Sequence, residues 1–383
     1  MIDNDPSWIA REILAQGGTV SGERFMELAL YHPGQGYYQK EQISIGREGD
    51  YVTAPVMTSL FGELLTLQCI EVWELMKRPA PFVLIEAGPG TGHLATDILR
   101  TSRKFPEFAQ SLDYRLVEIA APLRNLQRQR LADAGFQNRC SWFDTLAAAA
   151  GTGIQGIILG NEFLDALPVC WVEMTPSGLV ERGVQATAEG ILSIVSIPLG
   201  RGIEPDHFSR IGLDLPVGMR TEVGYPAQKW MRQSGRLVLR GMLLMIDYGY
   251  TARDYYHSER MQGTLVGHHR HHRIDDPLKF PGEMDLTTHV DFSAMARAGA
   301  QGGWEPCGFT TQGWFFLGLG LLERLQGLMK KEGMRLSAEV SQTAMRLILP
   351  EEMGERFKVL AMTKGLNRLE LSGYRLNNRW GEL

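Results

Sequence analysis

The stretch Phe82-Val-Leu-Ile-Glu86-Ala-Gly88-Pro-Gly90-Thr-Gly92 decides how this chain is read. Phe82–Ala87 is apolar except for Glu86, the pattern of a short strand covered on both faces. The run breaks at three alternating glycines, and helical spacing resumes through Leu94, Ile98 and Leu99. Glycines let the chain turn tightly and let backbone N–H groups come close to a bound ligand. The spacing is G-x-G-x-G, not the G-x-G-x-x-G that sets a dinucleotide pyrophosphate on a helix N-terminus. Further along, Tyr114–Ile119 predicts a second strand with Glu118 near its end, and Ala121–Ala134 a helix. A third strand is expected near Asn138–Phe143, and a fourth at Ile154–Leu159, ending at Asn161-Glu162. Strands alternating with helices imply an α/β fold, a parallel sheet with helices on both faces and right-handed crossovers. Ligands collect at the carboxyl ends of such strands.

The acids around this turn narrow the ligand. Glu86, two residues ahead of Gly88, can hold a cationic amino group such as that of a methionyl moiety. Glu118 follows Gly92 by 26 positions and can accept both hydroxyls of a ribose. Asp144, after the third strand, can meet an adenine amino group. An acid, the glycines Gly88, Gly90 and Gly92, then a second acid is the arrangement expected for S-adenosylmethionine. A plain strand-to-helix turn and a different nucleotide are the competing readings. Asn161-Glu162-Phe-Leu-Asp165-Ala-Leu-Pro168 follows the fourth strand. It is not the Asp/Asn-Pro-Pro-aromatic run of exocyclic-amine nucleic-acid methyltransferases, which counts against a base as substrate. Glu162 and Asp165 are instead carboxylates near a site of attack, although Asp165 could equally cap a turn. Asp247, closing the apolar strand Met242–Asp247, is a third candidate.

The 383 residues allow two domains, and 44% hydrophobic with 22% charged residues is an ordinary globular composition. A net charge of −5 argues against a nonspecific nucleic-acid binder. Four dispersed cysteines with no CxxC pair suit a reducing compartment. The N-terminus carries no signal or transit pattern, and Trp314–Leu322 is too short to span a bilayer, so a cytoplasmic protein without a membrane partner is expected. Residues 1–78 read as an N-terminal helical cap: amphipathic spacing at Trp8, Ile9, Ile13 and Leu14, Ser21 capping Arg24–Leu30, and a long helix over Thr58–Met76. Between them lies Tyr31–Tyr38, a turn-rich loop with exposed aromatics. Residues 168–222 read as an inserted antiparallel β region, from short strands at Val169–Met174, Leu179–Val184 and Ile191–Ile197. Residues 79–167 and 223–383 form the remaining core, with helices at Ala227–Ser234 and near Trp314–Lys331 and a strand near Phe357–Met362. His268-His-Arg-His-His272 has no carboxylate or thiol at metal-ligand spacing, so it reads as a cationic loop or a solvated turn rather than a metal site.

Together these stretches resemble the MidA-like family of class I S-adenosylmethionine-dependent methyltransferases, whose mitochondrial member is a complex I assembly factor that dimethylates an arginine. The resembling segments are Tyr31–Tyr38, Gly49–Pro55 with Phe61-Gly-Glu63, Glu86–Gly92, Asn161–Pro168, Gly224–Gln228, Ile246–Gly249, Pro281–Val290, Thr311–Gly313 and Met353–Leu360, nearly the whole chain in order. The resemblance implies a Rossmann-like seven-stranded sheet with a helical cap and an inserted β-rich substrate region. It implies that Gly88, Gly90, Gly92 and Glu118 hold the cofactor, with Thr53, Asn161 and Glu162 near it. It also implies methylation of a protein, with arginine as acceptor. Two positions depart from the family pattern: Val56 stands where a glutamate is common, and Val266 where an arginine is. If those two groups pair in other members, losing both avoids leaving one buried charge alone, and the acceptor pocket here is less polar. Tyr37 and Tyr38 are further candidates for that pocket, and His289 would suit a hydroxyl acceptor as base. The alternatives are methylation of a small-molecule oxygen or nitrogen and a non-catalytic assembly factor that keeps cofactor binding. A homodimer is also open.

Overall fold

The computed structural model describes residues 7–40, 54–200, 202–332, 334–366 and 370–383. The chain divides into two compact units: Met1–Tyr51, Leu164–Lys229 and Tyr250–Asp291 form the first, and Val52–Phe163, Trp230–Gly249 and Phe292–Leu383 the second.

The second unit is built on seven strands: β1 (Phe82–Ala87), β2 (Leu112–Val117), β3 (Cys140–Phe143), β4 (Ile154–Asn161), β5 (Val238–Tyr250), β6 (Glu305–Thr311) and β7 (Phe357–Lys364). Their order across the sheet is β6-β7-β5-β4-β1-β2-β3. β1 pairs in parallel with β2 and β4, β2 with β3, and β4 with β5. β7 runs antiparallel between β5 and β6, so the sheet is mixed rather than all-parallel. All six residues of β1 are buried, as both-face coverage requires. Leu84, Leu116, Leu159 and Ile246 of four neighbouring strands share one core with Phe61, Leu64 and Ile98 from two helices.

Helix Ser59–Leu75 begins at the Thr58 cap, whose hydroxyl accepts from the Leu60 N–H at 3.3 Å. Eleven of its 17 residues are buried, and the helix belongs to the second unit. Only a narrow stripe through Ser59, Glu63, Leu67, Glu71, Glu74 and Leu75 escapes full burial, and a composition break near residue 78 does not register this. The expected helix Trp314–Lys331 is two helices, Gln312–Gly318 and Leu321–Glu332, separated where Gly320 takes φ +87°. β6 carries no strand signal because it contains Pro306 and Gly308. As an edge strand it tolerates the proline, and a Cβ at Gly308 would lie 2.4 Å from the Tyr374 ring.

The first unit holds antiparallel sheets. Gly178–Ala186 pairs with Thr19–Ser21, Cys170–Thr175 and Leu192–Ile197, and Cys170–Thr175 with Arg220–Val223. Helix Gly22–Tyr31 starts at Ser21, whose hydroxyl accepts from Arg24 N–H at 3.1 Å. A smaller sheet joins Val266–His269 to His272–Ile274 and Asp285–Thr287. Its hairpin turns through Arg270 and His271 at φ +49° and +62°. That geometry normally shows as Asn-Gly, so the histidine run gives no hairpin signal. The aromatics of Tyr31–Tyr38 are not exposed: Tyr37 is buried and Tyr38 partly so. Tyr31 stacks on Tyr38 with centroids 5.5 Å apart, and Tyr38 Oη donates to Asp285 Oδ1 at 2.8 Å. Among the described residues no helix is long and apolar enough to cross a membrane.

Candidate functional site

The strand order fixes where a ligand belongs. From β1 the chain proceeds to β2 and β3 on one side, and β4 lies on the other. The carboxyl ends of β1 and β4 therefore flank a topological switch point, where open α/β sheets form their binding crevice. The glycine loop follows β1, and Asn161-Glu162 ends β4.

In the loop, Gly88, Gly90 and Gly92 take φ +64°, +52° and +80°, a region closed to most side chains. A Cβ on Gly88 would meet the Phe163 ring at 2.8 Å, and one on Gly92 would press on Gln127 at 3.3 Å. A Cβ on Gly90 would meet no protein atom within 4 Å, so the loop is open there. Gly88 N–H donates to Val117 O at 3.1 Å, which ties the loop to the end of β2 beside Glu118. Glu86 lies beneath the loop, its carboxylate accepting from Tyr114 Oη at 2.6 Å. Burial pushes the Glu86 carboxyl up to about 7, and the tyrosine bond only partly opposes it.

Glu118 is buried, and its Oε1 accepts from Ala120 N–H at 2.8 Å. Desolvation raises this carboxyl to about 7, against the pull of the Ala120 N–H, the Gln127 amide and Arg124. Asp144 is exposed and paired with Arg124, which also donates to Glu118 O. Gln127 was not singled out by sequence, yet its Nε2 donates to Gly90 O at 2.7 Å and to Glu118 Oε2 at 3.4 Å. A polar residue between Leu123 and Leu131 on a helical apolar stripe is the signal that could have found it.

At the end of β4, Glu162 has φ +50°, a strained value for a residue with a side chain, and its N–H donates to Ile246 O at 2.9 Å. Asn161 Nδ2 donates to Glu162 Oε1 at 3.2 Å, while Asn161 Oδ1 is buried with no hydrogen-bond partner among the described residues. Asp247 is buried on β5, and its Oδ1 accepts from Tyr248 N–H at 3.0 Å. An open cradle at Gly90, an orphaned acceptor at Asn161 and a buried acid at Glu118 fit a ligand with hydroxyl and amino donors.

The other candidates are dispersed. Thr53 lies outside the described residues. Val56, half-buried in the short helix Ala54–Met57, belongs to the second unit. Asp165, Tyr37, Tyr38, Val266 and His289 belong to the first. There Asp165 is buried and its carbonyl accepts from Thr288 N–H at 3.1 Å. His289 N–H donates to Thr264 Oγ1 at 3.1 Å, and its ring lies against Tyr250 at 5.1 Å. Val266 opens the strand paired with Thr287. His268 and His269 pair with Arg273 and His272 across the hairpin. Among the described residues no three His, Cys, Asp or Glu are grouped to hold a metal ion.

Comparison with known proteins bears on the family, the fold and the cofactor. Residues 64–310 match a family of S-adenosyl-L-methionine-dependent methyltransferases. A crystal structure of a protein from Burkholderia thailandensis, bound to S-adenosyl-homocysteine, superposes with TM-score 0.90 at 31% identity, covering 100% of this chain and 99% of that one. The mitochondrial protein arginine methyltransferase NDUFAF7 homolog of Drosophila melanogaster is 30% identical, over 93% of this chain and 84% of its own length. Human NDUFAF7 is 27% identical over 94% and 84%. This chain belongs to the MidA-like family of class I S-adenosylmethionine-dependent methyltransferases.

Proposed function

We propose that the protein methylates an arginine side chain of another protein, with Gly88, Gly90, Gly92, Glu86, Glu118, Asp144 and Asn161 holding the cofactor. Support for the acceptor comes from relatives near 30% identity that are named protein arginine methyltransferases. When bound, S-adenosylmethionine supplies a methyl group activated by its sulfonium charge. The task left to the chain is to align an acceptor, which is worth roughly 7–11 kcal/mol when geometry is held. A guanidinium stays protonated, with a pKa above ~12, so it needs carboxylates that fix its plane and take a proton. Glu162 is the first of these, with Asp165 and Asp247 behind it. The observation that carries this role is the strained φ of Glu162 beside the buried acceptor of Asn161, at the carboxyl end of β4. Strain of this kind persists where the surroundings hold it, and it clusters at sites of function.

The test is transfer of labelled methyl groups into a lysate of cells lacking the protein. Label recovered as methylarginine after protein hydrolysis is the expected result, and Glu162→Gln should abolish it while S-adenosylhomocysteine still binds. Label confined to small molecules would overturn the acceptor assignment in favour of a small oxygen or nitrogen acceptor. That second reading draws on Val56 and Val266, valines at positions where the family resemblance leads one to expect a carboxylate and a guanidinium.

A further inference from the structure

Gln127 is the one fully buried polar residue of helix Ala121–Asp133, in line with Leu123 and Leu131. A polar group on such a stripe must be fully bonded to be tolerated, and its bonds define its orientation. Trp142 Nε1, which can only donate, lies 2.9 Å from Gln127 Oε1. The amide nitrogen is therefore turned toward Gly90 O at 2.7 Å and Glu118 Oε2 at 3.4 Å. The opposite orientation would set oxygen against two acceptors and N–H against the indole N–H. One turn further on, Arg130 Nε donates to Thr91 O at 2.8 Å, so one helix face grips two successive carbonyls of the loop.

We propose that Gln127 is a positioning residue for the cofactor: its single amide locks the glycine loop to Glu118, and it biases that carboxylate toward the ionised form that accepts hydroxyl groups. The inference rests on Glu118 lying at the cofactor, as proposed above. The charged groups around this junction are Arg124 with its partner Asp144, Arg128 over the Trp142 ring, and Arg130 beside His93 at the loop.

The experiment is calorimetric titration of S-adenosylhomocysteine from acid to mildly alkaline pH, on wild type, Gln127→Leu, Trp142→Phe and Glu118→Gln, with melting curves for each. Gln127→Leu should weaken binding roughly 10- to 150-fold at alkaline pH, the loss expected for one bond to a charged group. It should also move the midpoint of the pH dependence upward, because a carboxylate that loses a donor holds its proton more tightly. Trp142→Phe, which frees the amide to flip, should shift the midpoint the same way by less. A folded Gln127→Leu with wild-type affinity and midpoint overturns the proposal. Should that variant fail to fold, an unshifted Trp142→Phe overturns it. Glu118→Gln separates the two ideas. If its affinity and pH profile are those of wild type, Glu118 is not at the cofactor and both readings fall. If it loses affinity and pH dependence while Gln127→Leu changes nothing, only the role of Gln127 falls.

Discussion

The two units solve the problem of holding functional groups in different ways. In the second, the candidate cofactor groups come from strand ends and the turns that follow them: Gly88–Gly92 after β1, Glu118 after β2, Asp144 after β3, Asn161 and Glu162 at the end of β4. In the first, the candidate acceptor groups come from three separated chain segments and are held by side-chain bonds, such as Tyr38 to Asp285 and the backbone of His289 to Thr264. A site made of backbone geometry needs particular residues at fixed spacing. A site made of side chains on antiparallel strands and loops leaves many more substitutions open, which makes its chemistry easier to change and harder to read.

Variants at the two units should behave accordingly. The largest effect is expected from Gly90→Val. A β-branched residue at φ +52° is strained, and the space it fills is free of protein atoms. Cofactor affinity should therefore drop by more than about 100-fold, while the melting temperature changes modestly. Unchanged affinity for S-adenosylhomocysteine would break the assignment of the loop. In the first unit, Glu222 is fully buried and accepts from Tyr255 Oη, Thr264 N–H and Oγ1, and Leu265 N–H. Glu222→Ala leaves those donors buried without their acceptor and should cost about 2–4 kcal/mol of stability. Cofactor affinity below the melting point should stay at the wild-type value; a parallel loss would show that the two units do not divide the work this way.

Glu118→Gln should weaken cofactor binding by about 1–3 kcal/mol and reveal the protonation state of this acid. The native carboxyl is pushed from 4.5 up to about 7, so between those values the folded protein binds more protons at Glu118 than the unfolded chain does. Stability contributed at this site is therefore lost as pH rises through that window. The melting temperature of the variant relative to wild type should climb from pH 5 to pH 7.5 or so. His93, pushed down to about 4 by burial and by Arg130, gives the opposite slope in both proteins and cancels in the difference. A flat difference would mean that burial does not govern this acid. The smallest effect is expected from Tyr38→Phe, about 1 kcal/mol for one hydrogen bond to Asp285, with cofactor affinity untouched.

Much of the second unit was legible in the chain because its signals are local. β1 and the glycine loop needed only apolar residues followed by residues that accept positive φ, and in the first unit Ser21 announced its helix through its side-chain oxygen. What escaped was set by contacts distant in sequence. β6 is a strand despite Pro306 and Gly308, because an edge position forgives the proline and Tyr374 occupies the room of the missing Cβ. The tyrosines of residues 31–38 looked like surface groups and became a bonded cluster once Asp285 and the carbonyl of Ala166 were brought to them.

The linear chain by itself determined the nucleating strand, the turn that a ligand can approach and the acids that bracket it, because dihedral preference and apolar periodicity act over a few residues. Tertiary structure alone decided that Gln127 joins Gly90 to Glu118, that helix Ser59–Leu75 packs into the core of the second unit, and that Glu162 is held at a strained φ. Each of these depends on groups that meet only when the sheet assembles, and on burial that turns an ordinary amide or carboxylate into one whose every bond counts.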